Sequence, residues 1–365
     1  MPIAGTRIPI NTAEGMDKIT HTEKVTSPYF SNGSATLAAA NIKSSSLSDT
    51  NETYFFGISN SSTLTTEEFN VAFGSTNGYG GQTSGGTIKS PTEAIYKQYA
   101  SMLLAPLEVT GGFKISQNGS HGGALSTKDT EIFIMNARRS NMKDRINKGT
   151  WTVAFSGSAG DLSGVVLKLT DDSKTQKPTA TPAGDRYNIV SGSAGTAHNA
   201  ATSQSFGFFY PSMGILILSG HELSASMPGR IDAGVNNTVI FDSGSQKGFG
   251  FAKTTTGNTK QALRLVNCLL ESPASLTFRD EEDQVSAQYF CRTRAGHMNF
   301  SNNPTFVSGS LNELRQEKMK GNPNTFITSV QLYNDAGDMV AVGNLSTPLK
   351  KNFSSEATIK VKLTY

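Results

Sequence analysis

The last residues of the chain, 358–365, alternate strictly between polar and apolar side chains. A period of two is typical of a β-strand that has one buried face. The apolar positions share one face and the two lysines lie on the other: Ile359, Val361, Leu363 and Tyr365 against Lys360 and Lys362. Because chain ends fray unless they are held, we expect this strand to be paired, mainly within a C-terminal β module of the same chain.

The composition favours short strands joined by turns over long helices. The 365 residues include 36 glycines, only 17% of the residues are charged, and Ser, Thr and Asn are abundant throughout. A chain of this length can bury several cores without a disulfide or a structural metal. We therefore predict a mainly β, multi-domain protein. Its modules are expected to be antiparallel β-sandwiches or barrel-like sheets, with one or two short α-helices in the chain.

Changes in patterning along the chain predict four parts. The first part is polar and has few large apolar residues, which is typical of an extended arm that becomes ordered against a partner. Alternating apolar segments begin after it. The predicted parts are an N-terminal arm at 1–50, an α+β domain at 51–150 with a helix at about 91–104, a mainly β domain at 151–284, and a C-terminal β module at 285–365.

Two helices are predicted from local signals, and a third segment is ambiguous. The clearest helix start has Ser90 as the N-cap, Pro91 at the first helical position and Glu93 closing a capping box. A second helix is predicted at about 136–148. It is basic, carrying Arg138, Arg139, Lys143, Arg145 and Lys148. Residues 261–271 fit a helix or a strand, and periodicity does not separate the two.

A β-hairpin is predicted near the C-terminus. Two strand patterns, at 326–333 and 339–345, flank the turn sequence Asn334-Asp335-Ala336-Gly337. Lys350 and Lys351 follow the second strand. Together with the lysines of the terminal strand, we expect them to blunt sheet edges or to face acidic neighbours.

The motifs that carry catalysis or bind cofactors and metals are missing from the sequence, so we predict no enzyme, no cofactor and no metal site. The histidines are scattered, and none forms a short-spaced ligand pair: His21, His121, His198, His221 and His297. Cys268 and Cys291 lack a CxxC spacing and are predicted to be buried free thiols. The glycines around Lys253 and Thr254 have the wrong spacing for a phosphate loop.

Three further features of the sequence are candidate binding sites: an acidic cluster, the basic segment and a tyrosine between glycines. The acidic cluster Arg279-Asp280-Glu281-Glu282-Asp283 lacks the spacing of a calcium loop and is predicted to be a solvated turn. The basic segment lacks aromatic residues for stacking on bases, so we predict a solvated or subunit-facing helix side. With a net charge of only +3, nucleic acid is not an expected partner. Tyr79, between glycines, is a weak signal for stacking on a sugar.

The sequence gives no signal for a membrane. The longest strongly apolar run, Ile215 to Leu218, is far shorter than the ~20 residues that cross a bilayer as a helix. The first residues lack a basic segment followed by an apolar one, which a secretory signal would have. We therefore expect synthesis in a cytoplasm and no membrane partner.

Several segments taken together are similar to one family. They are 90–99, 186–193, 208–215, 299–305 and 332–335. In this order they resemble virion structural proteins of T-even-like contractile-tailed bacteriophages of the marine or cyanophage type, and the resemblance covers about residues 50–365. It implies a virion protein made in the host cytoplasm, with other virion proteins and copies of itself as partners. It brings no catalytic residue, and within the particle we favour a component of the baseplate wedge.

Three functions follow as expectations. The leading one is a virion structural subunit in the tail baseplate or its attachment region, acting through protein–protein contacts. The alternative is a receptor-binding or fibre-connecting module that recognises a glycan of the host surface. An enzyme such as a glycan depolymerase is the third, and it would need two carboxylates in a common cleft.

Overall fold

The computed structural model describes most of the chain, and the account below concerns those residues alone. They are 7–13, 15–31, 42–44, 55–59, 67–78, 91–109, 112–115, 128–158, 161–198, 205–220, 222–223, 261–270, 275–308 and 313–365.

The described residues are mainly β, as predicted. The strands are β1 (Lys18–Ser31), β2 (Ile42–Ser44), β3 (Phe55–Ser59), β4 (Glu67–Ser75), β5 (Glu131–Ala137), β6 (Arg145–Ile146), β7 (Thr152–Ser158), β8 (Asp161–Asp171), β9 (Thr179–Thr181), β10 (Gly184–Ser193), β11 (Thr196–Ala197), β12 (Gly207–Tyr210), β13 (Ile215–Ser219), β14 (Ser275–Thr293), β15 (Val307–Ser308), β16 (Glu313–Leu314), β17 (Thr325–Tyr333), β18 (Met339–Lys351) and β19 (Ala357–Thr364). The helices are α1 (Thr92–Leu103), α2 (Gln261–Leu270) and a short 3-10 helix at Glu317–Met319.

The chain divides into two compact units. The larger unit comprises residues 25–282, and the smaller unit comprises residues 1–24 with 283–365. Within the larger unit, β5 pairs with β13 in antiparallel register from Ile215 opposite Asn136 to Ser219 opposite Ile132. The sheet is therefore continuous across residue 150, where the sequence analysis placed a domain boundary.

One antiparallel sheet organises the larger unit. Its strands follow the order β1-β14-β7-β8-β10-β12-β13-β5-β4-β3-β2, and β1 and β14 each continue into the smaller unit. The three central strands, β12, β13 and β5, are buried on both faces. Their continuous apolar runs, such as Ile215 to Leu218, reflect this double burial, because a strand with one solvated face would alternate. Helix α1 packs on one face and α2 belongs to the core on the other.

An aromatic cluster joins strands that lie near the two ends of this sheet. Phe69 on β4 lies with its ring 4.7 Å from the ring of Phe278 on β14, although these strands are far apart in the strand order. Phe30 approaches Phe69 edge-on at 5.6 Å, and Trp151 stacks on Phe278 at 5.5 Å. The sheet therefore curls until its ends share one core, in which Phe69 is completely buried.

The smaller unit contains a second antiparallel pairing and a separate hairpin. Strand β19 pairs with β14 from Ser286 opposite Thr364 to Thr293 opposite Ala357. The predicted terminal strand therefore exists, and its partner belongs to the same chain. Strands β17 and β18 form a two-stranded sheet of their own around the predicted turn, which confirms the predicted hairpin.

The hairpin is held at its root by a buried lysine. The ammonium group of Lys351 donates hydrogen bonds to the carbonyl oxygens of Ala295 (3.1 Å) and Asn352 (2.9 Å) and to Oδ1 of Asn299 (2.9 Å). Burial lowers its pKa. The expectation that Lys351 blunts a sheet edge is wrong, because its side chain is fully buried. Neutral oxygens bind its ammonium directly, and the nearby charge of Glu356 partly opposes the lowering of its pKa.

The helices follow the predictions only in part. Helix α1 begins one residue later than expected, with Pro91 at the N-cap, and Ser90 lies outside the described residues. The ambiguous segment is the helix α2. The second predicted helix, at 136–148, is wrong: β5 continues to Ala137, turns follow, and β6 occupies Arg145–Ile146. Sheet pairing overrides local helix propensity here, since the backbone N–H of Arg138 donates to the carbonyl of Glu68 at 2.8 Å.

The closing aromatic cluster can be tested by truncation. Phe69→Ala removes the ring that contacts both ends of the sheet, and it should lower the free energy of unfolding by about 3–5 kcal/mol. Leu107→Ala is the control, because this side chain is 95% exposed and its loss should cost less than about 0.5 kcal/mol. Urea denaturation measures both. Equal costs for the two variants would contradict the role given to the cluster.

Candidate functional site

The two charge clusters noted in the sequence face each other. Nε of Arg145 lies 2.8 Å from Oε1 of Glu281, and Nζ of Lys143 lies 2.9 Å from Oε2 of Glu282. The predicted solvated turn is therefore wrong: Asp280 and Glu281 lie within β14 and are 3% and 5% exposed. Neither cluster was recognised from sequence as the partner of the other, because more than a hundred residues separate them.

Burial raises the pKa of one carboxyl group of this cluster, that of Asp280. Oδ2 of Asp280 accepts a hydrogen bond from the backbone N–H of Lys143 at 3.3 Å. Loss of hydration raises the pKa of Asp280 to about 6, and this outweighs the opposing effect of that hydrogen bond. Nδ2 of Asn147 donates to Oε2 of Glu281 at 3.1 Å. These contacts join the segment 143–147 to β14. The charged residues of both clusters therefore have a structural role in holding the two segments together.

A second group of carboxylates lies beside β5 and β13. Oδ1 of Asp129 accepts a hydrogen bond from Ser219 at 2.5 Å, and Oδ2 accepts one from the backbone N–H of Ile115 at 2.9 Å. Burial raises the pKa of Glu131 to about 7, and the charge of Asp129 adds to the rise, whereas a hydrogen bond from Thr130 opposes it. Within the described residues, no group of His, Cys, Asp and Glu side chains is arranged to hold a metal ion.

A small cavity lies beside the end of α1. It has a volume of about 170 Å³ and is lined by Leu104, Leu107, Glu108, Gly112, Lys114, Arg186 and Phe208. The guanidinium carbon of Arg186 lies 4.2 Å from the centre of the Phe208 ring. Binding sites for small molecules usually measure about 300–1,000 Å³. The cavity is therefore too small to support a small-molecule function.

The remaining residues singled out in the sequence do not converge in the described part of the chain. His21 lies on β1, His198 follows β11, and His297 lies in a turn after β14. His121, His221, Tyr79, Lys253 and Thr254 lie outside the described residues. Both cysteines are free thiols; Cys268 is buried as predicted, whereas Cys291 is only half-buried.

The hairpin β17–β18 presents an exposed apolar surface, which we call the hairpin surface. It consists of Tyr333, Met339, Val342 and Leu349, which are 38%, 56%, 58% and 38% exposed. The opposite side of the hairpin also carries exposed Phe326. A two-stranded hairpin alone is marginally stable in water. The sequence pattern predicted the strands but not their exposure, because alternation does not show whether a face finds a core.

Among the residues that the structure describes, these features form no recognisable catalytic centre, and the hairpin surface is the candidate site. Among the described residues, no helix is long and apolar enough to cross a membrane. Comparison with known proteins adds no identity, since no family model, no curated protein and no solved structure matches the chain.

The joined charge clusters predict different roles for two neighbouring cations. Arg145→Met leaves the buried carboxylate of Glu281 without its charged partner and should lower the free energy of unfolding by about 2–3 kcal/mol. Lys143→Met is the matched control: its ammonium is solvated, so its loss should change stability little. Denaturation of both variants by urea is the measurement. A larger loss for Lys143→Met would show that the cluster is held differently.

The raised pKa of Glu131 predicts a pH-dependent stability. Because the pKa is about 7 in the folded state and 4.5 ordinarily, the folded state retains a proton that the unfolded chain releases between these values. The free energy of unfolding therefore falls as pH rises through this window. Glu131→Gln should be more stable than the parent by up to about 3 kcal/mol at about pH 8, and this gain should disappear near pH 4.

The control for that experiment is Glu317→Gln, which changes an exposed carboxylate in the 3-10 helix. This variant should differ from the parent by less than about 0.5 kcal/mol at either pH, as is usual for surface substitutions. Denaturation curves at both pH values report the comparison. A constant difference for Glu131→Gln would show that this carboxyl titrates normally in the folded protein.

Proposed function

We propose that the chain is a structural subunit of a bacteriophage virion, in the tail baseplate or its attachment region, and that it acts through protein–protein contacts. Its partners are other virion proteins and copies of itself. The resemblance of residues 50–365 supports the family, and one structural observation supports assembly: the exposed apolar hairpin surface. A surface of this kind is typical of a protein interface.

The composition of the hairpin surface suits burial against a protein. Tyr333 pairs across the hairpin with Met339, and Ile327 pairs with Leu349, so these side chains lie on one face together with Val342. Strand β17 has no charged residue between Ile327 and Tyr333, although polar Ser329 and Gln331 share this face. At the tip of the hairpin the guanidinium carbon of Arg7 lies 4.1 Å from the centre of the Tyr333 ring. Contact with a neighbouring subunit would bury a half-exposed side chain such as Val342 with a gain of about 1 kcal/mol.

The root of the hairpin keeps this surface in a defined place on the smaller unit. Lys351 fixes the end of β18 to the segment 295–299, and the hydroxyl of Thr325 donates to the carbonyl of Met298. Beyond this root, most residues of both strands are exposed. The hairpin is thus fixed at one end and exposed along most of its length. This arrangement suits an element that becomes more ordered when a neighbouring subunit covers it.

The other functions lack a supporting observation. Tyr79, the residue considered for glycan stacking, lies outside the described residues, and the cavity beside α1 is small for a sugar site. The buried carboxylates of the described residues take part in hydrogen bonds and ion pairs that join strands. We therefore propose no glycan-binding or depolymerase activity.

Incorporation into particles tests the proposal. Mass spectrometry of purified virions from the virus that encodes the chain should detect it. Met339→Lys with Val342→Lys places two charges on the hairpin surface and should reduce incorporation by about tenfold or more, because a half-exposed apolar contact is replaced by buried charge. The variant should fold, since both positions are exposed.

Thr347→Lys is the matched control, because it adds a charge at an exposed position of β18 outside the hairpin surface. It should be incorporated normally. Circular dichroism and thermal unfolding of each purified variant verify folding. Virions that lack the polypeptide would overturn the proposed function, and normal incorporation of the double variant would remove the hairpin surface from it.

A further inference from the structure

The hydrogen bonds at the end of β19 show which of its backbone groups point outward. Val285 and Tyr365 exchange both of their backbone hydrogen bonds, at 3.0 and 2.9 Å. In an antiparallel pair, such doubly bonded residues alternate with residues whose N–H and C=O groups point away from the partner strand. Given the register of β14 and β19, the bonded residues of β19 include Ile359, Val361 and Leu363.

The outward residues of β19 are therefore the remaining ones: Thr358, Lys360, Lys362 and Thr364. The same alternation on β14 makes Phe290 point away from β19, and its N–H indeed donates to the carbonyl of Asp17 at 2.9 Å, on the other side of β14. Within the described part of the chain, β14 is the one strand that pairs with β19. No residue that the structure describes uses the donors and acceptors on the outer edge of β19, an arrangement also found in strand-addition sites.

This edge is basic on one face. Lys360 and Lys362 are exposed, and neither forms an ion pair with any residue that the structure describes. Arg292, opposite Thr358, extends the same face, although its guanidinium contacts Asp17 at 3.1 Å. The other face of β19 is half-buried and apolar.

A second copy of the chain fits this edge poorly. If two β19 strands paired antiparallel over their full length, with the two-fold axis near Lys360, then Lys360 and Lys362 of one copy would lie opposite or diagonal to the same lysines of the other. Like charges in these positions are destabilising. A strand with acidic side chains on the same face would instead pair with both lysines, and its alternate positions would extend the apolar face.

We propose that the outer edge of β19 binds an extended strand of another protein, in which glutamate or aspartate alternates with apolar residues. The outward backbone groups of β19 supply the hydrogen bonds, and Lys360 and Lys362 select the acidic side chains. This inference names a partner chemistry for the assembly role proposed above and rests on that role.

Peptide binding to the full chain tests the inference. The probe is a synthetic peptide of about eight residues, the length of an ordinary strand, in which glutamate alternates with valine. It should bind at low salt and slow amide exchange at Thr358, Lys360, Lys362 and Thr364. A peptide with lysine in place of glutamate should bind at least about tenfold more weakly. Equal binding of the two peptides would overturn the inference.

Two variants separate the backbone from the charges. Lys360→Gln with Lys362→Gln keeps the outward N–H groups and should weaken binding of the glutamate peptide about threefold to tenfold, with a smaller salt dependence. Lys362→Pro also removes an outward N–H, which β14 does not use, so the variant should fold and lose binding. Unchanged binding by Lys362→Pro, in a chain whose folding is verified by circular dichroism, would overturn strand addition.

The outcomes distinguish this inference from the proposed function. Sedimentation that shows self-association of the parent chain, abolished by Lys362→Pro, would mean that the edge binds a second copy and would overturn the acidic partner. Virions that contain the chain, together with no peptide binding, would overturn this inference alone. Peptide binding by a chain absent from virions would overturn the proposed function and leave the binding site.

Discussion

The larger unit depends on the contact between Phe69 and Phe278, which brings the two ends of one antiparallel sheet into a common core. Without it, β4 and β14 would lie far apart in an open sheet with large apolar faces in water. Trp151, just before β7, and Phe30 on β1 extend the contact, so that four aromatic rings share the closure. The central strands can be apolar on both faces because this curl encloses one face while α1 covers the other.

Elements defined by local periodicity could be predicted from the sequence, and elements defined by distant partners could not. The alternation at 358–365 and the Asn334–Gly337 turn identify β19 and the hairpin, because both signals lie within a few residues. The local pattern at residues 136–148 predicts a helix. In the structure, carboxylates of β14 bind Lys143 and Arg145, and the backbone of this segment forms hydrogen bonds with neighbouring strands instead of helical ones. The hairpin surface could not be predicted for a related reason. Alternation predicts a strand with one apolar face, but it does not show whether another part of the protein covers that face.

The smaller unit has two kinds of unused interaction capacity. The hairpin surface offers exposed apolar side chains, with Arg7 stacked on Tyr333 at one end, and a complementary apolar face can cover it, including that of an identical subunit. The outer edge of β19 offers directional hydrogen bonds flanked by lysines, which discriminate between partners by charge. In an assembling subunit, the hairpin surface would contribute buried apolar area. The edge of β19 would select the partner strand and fix the register in which it pairs.

The buried Lys351 has a consequence for chemical footprinting. Its ammonium is held by three neutral oxygens, whereas its neighbour Lys350 is exposed. Acylating reagents attack the neutral, accessible amine, so Lys350 reacts while the root of the hairpin is closed and Lys351 reacts only when the root opens. The ratio of acylation at Lys351 to that at Lys350 therefore reports how often the hydrogen bonds at the hairpin root break. One proteolytic peptide that contains both lysines gives this ratio for free or assembled protein.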